Sequence, residues 1–283
     1  TTWHLGDRFL RTETEQFETS ERVEKDQNVL TADIERYVSS KTSFGVNGLY
    51  EIHDYKRDDY IDYYEYRAGG RFYYRVRPKT DLFLDGGYGW VDLDPTREYL
   101  GADEDVLNSS YGDAEYWETA VGVRGEVGNK TEAIGRAGWQ HREFEDEDNI
   151  DDIDTWIAAA GLTTRFSSRM QGGVTVTRRI FPWTTVAGNS AVATSINPYV
   201  RRYLWRTKLS ASASLTYENV DYYDPDGELD REDDIWHFSG LLDYKPRRNL
   251  TLGAGYSYTR NESTEPDRDV ERHRYIARAM WNY

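Results

Sequence analysis

The chain contains no cysteine, only two methionines and seven prolines, and no long hydrophobic run. Without cysteine there can be no disulfide framework and no thiolate metal site. No segment approaches the roughly 18 consecutive apolar residues that a membrane-spanning helix requires. Hydrophobic residues make up 38% of the 283 residues and the mean hydropathy is −0.84, which is little apolar material for a globular interior. These absences argue against a disulfide-stapled domain, a helical membrane protein and an ordinary packed core.

Positive charge is also scarce, because 35 basic residues face 51 acidic ones and the net charge is −16. A nucleic-acid partner is not expected, since phosphate binding requires a basic surface. High net charge with low hydrophobicity would normally indicate disorder. However, 23 tyrosines and nine tryptophans are typical of a folded chain. An apolar outside around a polar inside reconciles these observations.

Alternation with a period of two residues dominates the sequence and predicts β-strands. In the segment YYEYRAGGRFYYRVRP, the charged face carries Glu65, Arg67, Arg71 and Arg75, while tyrosine, alanine, phenylalanine and valine occupy the other face. Successive side chains of a strand point to opposite faces, so this segment has one apolar and one charged face. The same division recurs in EYWETAVGVRGEV, LSASASLTYE and LTLGAGYSY.

The connections also alternate, because short basic or neutral turns such as RPKT and GNKT separate longer acidic linkers such as EFEDEDNIDDID. This pattern predicts one all-β domain over 1–283, a closed antiparallel up-and-down transmembrane β-barrel of about 14 strands. Its short turns are expected in the periplasm and its longer acidic loops outside the cell, with the loop at 93–113 folding inward as a constriction. The predicted strands are 3–16, 27–38, 43–55, 60–77, 80–92, 114–127, 132–145, 153–166, 171–183, 191–205, 208–222, 234–245, 250–260 and 271–283.

A membrane location is favoured over a soluble sandwich because the apolar faces carry alanine and glycine between aromatic residues that cluster near strand ends. A closed barrel pairs every backbone group internally, as lipid requires. The aromatic residues are expected to form two interfacial girdles in contact with membrane lipid and lipopolysaccharide. They are Trp90, Trp117, Trp139, Trp156, Trp183, Trp236, Trp281 and Tyr283.

The end of the chain strengthens this interpretation. The final strand ERHRYIARAMWNY places Tyr275, Trp281 and Tyr283 on one face and Arg274 and Arg278 on the other. A terminal amphipathic strand that ends on an aromatic residue resembles the C-terminal insertion signal of outer-membrane barrels, although most of these end in phenylalanine. The segment from NLTLGAGYSY onward is similar to the β-barrel porin families, in particular the porin-2-like group often encoded beside exopolysaccharide synthesis and export machinery. The resemblance implies a porin of the bacterial outer membrane.

The charged face projects into the expected lumen. The predicted pore-lining residues are Glu65, Arg67, Arg71, Arg75, Glu118, Arg124, Glu126, Arg136, Arg165, Arg201, Glu218, Arg274 and Arg278. Interior tyrosines, Tyr63, Tyr73, Tyr116, Tyr199 and Tyr203, could stack on sugar rings. Arginine forks suit carboxylates or sulfates of an anionic sugar chain. The alternative is that arginine–carboxylate networks only stiffen the barrel wall.

No catalytic or cofactor motif is found. His237 and Ser239 share a strand face, but a separation of two residues is about 7 Å, too far for a hydrogen-bonded pair. DPDGELDRED resembles a calcium loop only weakly because the distal glutamate is missing, so no metal or cofactor is predicted. Three functions remain open: a channel for polysaccharide or small polar solutes, a plugged scaffold barrel in a larger envelope complex, and, third, a barrel enzyme. A periplasmic partner protein is compatible with the first two.

Overall fold

The computed structural model describes residues 1–15, 22–57, 60–94, 113–145, 151–182, 190–205, 208–223, 229–265 and 268–281. The described residues form 14 β-strands and no helix long and apolar enough to span a membrane. The strands are β1 (Thr2–Glu15), β2 (Arg22–Tyr37), β3 (Thr42–Tyr55), β4 (Asp62–Arg77), β5 (Thr80–Asp94), β6 (Ala114–Gly128), β7 (Thr131–Phe144), β8 (Ile153–Ser167), β9 (Met170–Pro182), β10 (Ser190–Trp205), β11 (Leu209–Tyr223), β12 (Leu229–Arg247), β13 (Leu250–Ser263) and β14 (Val270–Trp281).

All strands belong to one sheet in which each strand pairs antiparallel with its neighbours in the chain. Connections of two to four residues join the strands at one end, called here the turn end, and the longer connections lie at the opposite loop end. The predicted 14-stranded up-and-down architecture is therefore confirmed. Within the described residues, β1 pairs only with β2 and β14 only with β13. Both strands are exposed on both faces, with Trp3 73% and Tyr275 82% accessible. Closure of the sheet stays a prediction.

The register of the sheet carries the stagger that a barrel needs. A line of paired residues starts at Arg36, one residue from the turn end of β2, and crosses Phe44, Phe72 and Leu84 on β3 to β5. The line ends at Glu262, one residue from the loop end of β13. The register shifts by about one residue per strand. With about 3.3 Å per residue along a strand and about 4.8 Å between strands, this shift corresponds to a strand tilt of about 35°. Closed barrels have tilts of about 35–45°.

The largest errors in the predicted strand boundaries are at the starts of β2 and β12, which begin at Arg22 and Leu229 rather than at 27 and 234. The two segments beyond the predicted strands, RVEKD at 22–26 and LDRED at 229–233, are highly charged. Such a composition is typical of loops, and the sequence therefore predicts loops there. The hydrogen-bond ladder continues through them because a strand in water needs no apolar face. The sheet therefore extends towards the loops beyond its apolar belt.

Candidate functional site: the concave face of the sheet

One face of the sheet is concave, because side chains from strands that do not pair with each other meet on it. Arg67 on β4 donates from Nε to Glu118 Oε1 on β6 at 2.7 Å. Arg124 on β6 donates from Nη2 to Glu35 Oε1 on β2, also at 2.7 Å. Across four strand spacings of about 4.8 Å, such a contact requires strong curvature. This face is the interior of the curled sheet, and all 13 predicted pore-lining residues alternate onto it by the strand registers.

The interior face of β4 to β7 carries a network of arginines and carboxylates, which we call the ionic wall. Arg136 Nη1 lies 2.7 Å from Asp85 Oδ2 and 2.6 Å from Glu118 Oε1. Arg67 Nη2 lies 2.6 Å from the same Glu118 oxygen and 3.3 Å from Asp85 Oδ2. Asp85 is 1% and Glu118 6% exposed, so both carboxylates are desolvated and depend on the guanidinium groups. Buried charges of this kind require partners, which these residues supply to one another.

The remaining members of the ionic wall are paired as well. Arg71 Nε donates to Asp85 Oδ1 at 3.0 Å, and Arg75 Nε donates to Asp81 Oδ1 at 3.1 Å. Arg124 lies over the Tyr73 ring, 3.7 Å from its centroid, and also donates to Asp81. The sequence places Arg67, Arg71 and Arg75 about 13 Å apart along one strand. Because each has a carboxylate partner, the geometry favours a structural role for these arginines.

The interior face of β8 to β13 is different, and we call it the hydroxyl wall. Its side chains hydrogen-bond to one another: Thr177 with Ser195 at 2.7 Å, and Ser214 with Ser239 at 2.8 Å. The hydroxyl and amide side chains of this wall include Thr163, Thr175, Thr177, Ser195, Asn197, Ser210, Ser212, Ser214, Thr216, Ser239, Ser257 and Thr259. Hydroxyl groups both donate and accept hydrogen bonds, so this wall suits neutral polar solutes. The interior is thus chemically asymmetric.

A cavity of about 670 Å³ lies along β4 to β8 at the turn end, over the ionic wall and next to the first strand of the hydroxyl wall. Arg75, Asp81 and Arg124 line it from the ionic wall, and Thr163 lines it from β8. Gly125 shapes its floor: it has a φ of 119°, and a Cβ there would lie 1.9 Å from the Lys79 carbonyl oxygen. Only glycine adopts that conformation readily. The pairing of β6 with β7 shifts its register just after this glycine, between Glu126 and Gly128.

Towards the loop end the interior is packed. Ala191, Ala193, Val220, Tyr222 and Ile235 form one buried cluster. Tyr63, Val91 and Tyr116 form a second cluster, and Ala114 packs with Phe144 in a third. Arg142 and the Arg231–Asp233 ion pair are buried at the same end. A solute that moves along the interior from the turn end therefore meets a partly apolar, well-packed layer.

The outward face carries the aromatic residues that the sequence assigns to the membrane girdles. Six of these tryptophans point away from the interior and are 40–51% exposed: Trp90, Trp117, Trp139, Trp156, Trp236 and Trp281. Trp183 and Tyr283 lie outside the described residues. Between the girdles the outward face is aliphatic, for example at Leu84, Val121 and Leu252. Their contact with lipid stays a prediction.

Sequence reasoning missed several interior residues. Asp81 holds Arg75 and Arg124, and Asn47 accepts a hydrogen bond from Arg67. The interior position of Asp81 could have been predicted, because Asp81 and Asp85 are four residues apart on one strand and therefore lie on the same face. Asn47 lacks such a signal, since its partner is on the next strand. The 93–113 loop and the weak calcium-like motif fall mainly outside the described residues, and no group of three metal-ligating side chains occurs in the described part.

Comparisons with known proteins agree with this architecture. The family described as "Putative beta-barrel porin 2" matches residues 7–281. No curated protein matches the sequence. Solved structures with a similar fold include the FrpB iron transporter from Neisseria meningitidis, at 9% identity and a TM-score of 0.51, covering 88% of this chain and 46% of FrpB.

Two further structures are more distant. The siderophore receptor PiuA from Acinetobacter baumannii has 12% identity and a TM-score of 0.47, with 88% of this chain and 49% of PiuA covered. The monoaromatic hydrocarbon channel TodX has 10% identity and a TM-score of 0.37, with 93% of this chain and 84% of TodX covered. The chain spans about half the length of FrpB and PiuA. The likeness to FrpB shows the outer-membrane barrel type of fold.

Proposed function

Because the chain belongs to the family described as "Putative beta-barrel porin 2" and is an integral outer-membrane protein, we propose that it is a channel whose concave face lines an aqueous lumen. The cavity of about 670 Å³ that the polar side chains of Arg75, Asp81 and Arg124 line on the concave face is the observation that carries this proposal. Small-molecule sites commonly have volumes of about 300–1,000 Å³. Polar solutes would enter from the turn end, where this cavity lies.

The channel requires that β1 and β14 pair to close the barrel. Unpaired strand edges are costly in lipid, because no water is present to satisfy their N–H and C=O groups. The two strands run antiparallel, as closure of an even-numbered meander demands. The strand tilt of about 35° lies at the lower end of the range for closed barrels and supports this proposal. Membrane lipid and lipopolysaccharide would then surround the outward face. A periplasmic partner at the turn end remains a prediction.

The proposed cargo is a polysaccharide in export, with small polar solutes as the second possibility. Sugars present many hydroxyl groups, and the hydroxyl wall offers donors and acceptors along β8 to β13 that can exchange with them. Such exchange keeps each contact weak enough for a solute to move on. The link to exopolysaccharide export comes from the resemblance in sequence, and the hydroxyl wall supports it chemically.

A plugged scaffold barrel is the competing function, and the packed loop end favours it. The clusters around Ile235 and Tyr116 narrow the interior at the side from which a solute would leave. The ionic wall also neutralises itself, as a purely structural network would. In this case the interior would hold the barrel together without conducting. An enzyme stays a distant third, and the porin family argues against it.

Planar-bilayer recording of the purified protein separates the two main functions. A steady open-channel current is expected, whereas silent bilayers with correctly inserted protein would contradict the channel. Replacing Arg67, Arg71 and Arg75 with alanine should shift ion selectivity towards cations, since Asp81 and Asp85 lose partners. The matched control replaces the outward Arg36, Arg202 and Arg260 with alanine and should leave the reversal potential unchanged. Equal reversal potentials for both triple variants would remove the ionic wall from the conduction path.

A further inference from the structure

Arg201 differs from the arginines of the ionic wall in its carboxylate contacts. On the ionic wall Arg67, Arg71, Arg75, Arg124 and Arg136 all have a carboxylate oxygen within 3.1 Å. Arg201 on β10 has no carboxylate partner among the described residues. Its Cζ atom lies 5.5 Å from the centroid of the Tyr203 ring. The arginines of the ionic wall are neutralised within the protein. Arg201 keeps its charge available for a ligand.

Arg165 on β8 resembles Arg201 more than it resembles the ionic wall. In the described part of the chain, its one carboxylate contact is with Glu132 at 3.7 Å, and the Arg165 and Glu132 side chains are 73% and 66% exposed. An ion pair this long and this exposed contributes little. Arg165 pairs in register with Gln171, and Gln171 with Arg201. Two arginines therefore flank a neutral amide in one row across β8, β9 and β10.

The adjacent row towards the loops is an aromatic platform. The hydroxyl groups of Tyr199 on β10 and Thr163 on β8 are hydrogen-bonded at 2.9 Å, so the Tyr199 side chain crosses the intervening strand β9. Gly173 of β9 lies beneath it, and a Cβ there would be 2.8 Å from Tyr199 Cε1 and 2.9 Å from the phenol oxygen. The Tyr199 ring therefore lies next to the Gly173 backbone on the concave face, and its side chain is half-buried. An exposed aromatic face is suited to stacking against the apolar face of a sugar ring.

The platform adjoins open space. Thr163, the partner of Tyr199, also lines the cavity of about 670 Å³, so a ligand in that cavity can reach both rows. Ser212 pairs with Arg201 on the other side and adds a hydroxyl group. The site thus combines a stacking surface, neutral hydrogen-bonding groups and arginines whose charge is not taken up by the protein.

We propose that Tyr199, Arg201, Arg165 and Gln171 form a luminal binding site for acidic carbohydrate, meaning sugars that carry a carboxylate. The inference rests on the proposed channel function, because it assigns the cargo that the lumen favours. A sugar ring stacks on Tyr199 while its carboxylate receives a charge-assisted, two-pronged hydrogen bond from the Arg201 guanidinium. Arg165 receives a neighbouring acidic unit, and Gln171 and Ser212 bind hydroxyl groups.

Calorimetry with the detergent-solubilised full chain tests the site, using tetragalacturonate and its methyl ester as probes. The two tetramers have the same sugar rings, and only the first carries negative charge. Tetragalacturonate should bind the wild type more tightly than the ester does. Arg201→Gln should weaken tetragalacturonate about ten- to a hundredfold and leave the ester unchanged. Tyr199→Ala should weaken both probes about tenfold, since both lose stacking.

Arg202→Gln is the matched control, because Arg202 is the next residue on the same strand and is exposed on the outward face. It should bind both probes as the wild type does. Equal affinity for the acid and the ester, or equal affinity of Arg201→Gln and Arg202→Gln for the acid, would overturn the site. Conductance of the same preparations keeps the two proposals apart. Silent bilayers with charge-dependent binding contradict the channel alone, whereas open channels without charge-dependent binding contradict the site alone.

Discussion

Replacing Asp85 with asparagine tests whether the ionic wall holds the barrel together. Asp85 is 1% exposed and accepts hydrogen bonds from Arg71 at 3.0 Å and Arg136 at 2.7 Å, while Arg67 lies 3.3 Å away. Breaking a buried ion pair typically costs about 3–5 kcal/mol, because an uncompensated charge remains. The side chains of Arg71 and Arg136 are 26% and 25% exposed, so hydration replaces part of the lost interaction with Asp85. We expect Asp85→Asn to lower the free energy of unfolding by about 3 kcal/mol, the lower end of that range.

Equilibrium unfolding in guanidinium chloride, with the protein inserted in lipid vesicles, measures this change from the midpoint and the slope. Glu132→Gln is the control, because Glu132 is 66% exposed and lies 3.7 Å from Arg165. It should change the free energy of unfolding by less than about 0.5 kcal/mol. If Asp85→Asn stays within about 1 kcal/mol of this control, the guanidinium groups are satisfied by water and the buried-pair reasoning fails.

Two further predictions concern the membrane geometry, and both use the absence of native cysteine. Cysteine at Leu5 of β1, combined in turn with cysteine at Ala277, Ala279 or Trp281 of β14, should yield a disulfide at one of the three pairings, because a closed barrel brings these edges together. If gel mobility shows no crosslink at any pairing under oxidation, the edges are apart. An environment-sensitive fluorophore at Leu252 or Ala277 should report acyl chains, whereas the same label at Thr175, an exposed residue of the concave face, should report water. Water-like emission at all three positions would contradict a lipid-facing outward side.

The face of each strand could be predicted from the sequence because strand alternation is a local property. Arg67, Arg201 and Arg278 alternate with apolar residues, and all three lie on the concave face. Strand boundaries were harder where both faces are charged, as at the starts of β2 and β12. There the hydrogen-bond ladder, which the side-chain pattern does not report, decides how far the strand extends. The local pattern therefore predicts orientation better than length.

The partners of the interior charges could not be predicted, because they depend on register and curvature. Arg124 and Glu35 are 89 residues apart in sequence and four strands apart in the sheet, yet their side chains are in contact. No spacing rule connects them. The same limit applies to Tyr199, whose position over Gly173 depends on the pairing of β9 with β10. The sequence predicts that Arg124 and Tyr199 lie in the interior. It does not distinguish the arginines that are paired with carboxylates from Arg201.

Because the interior has two chemically different walls, substitutions on them should change different properties of the protein: stability on the ionic wall and solute specificity on the hydroxyl wall. On the ionic wall, Arg136 contacts Asp85 and Glu118 together, so removing one partner leaves a desolvated charge and affects stability first. On the hydroxyl wall, Ser214 and Ser239 satisfy each other. In the proposed aqueous lumen, either can exchange this bond with water or a solute at little cost. Solute specificity can therefore change along β8 to β13 without loss of the fold. Arg201 lies on this second wall, where a charged side chain is free to select a ligand because the barrel does not need it for its own cohesion.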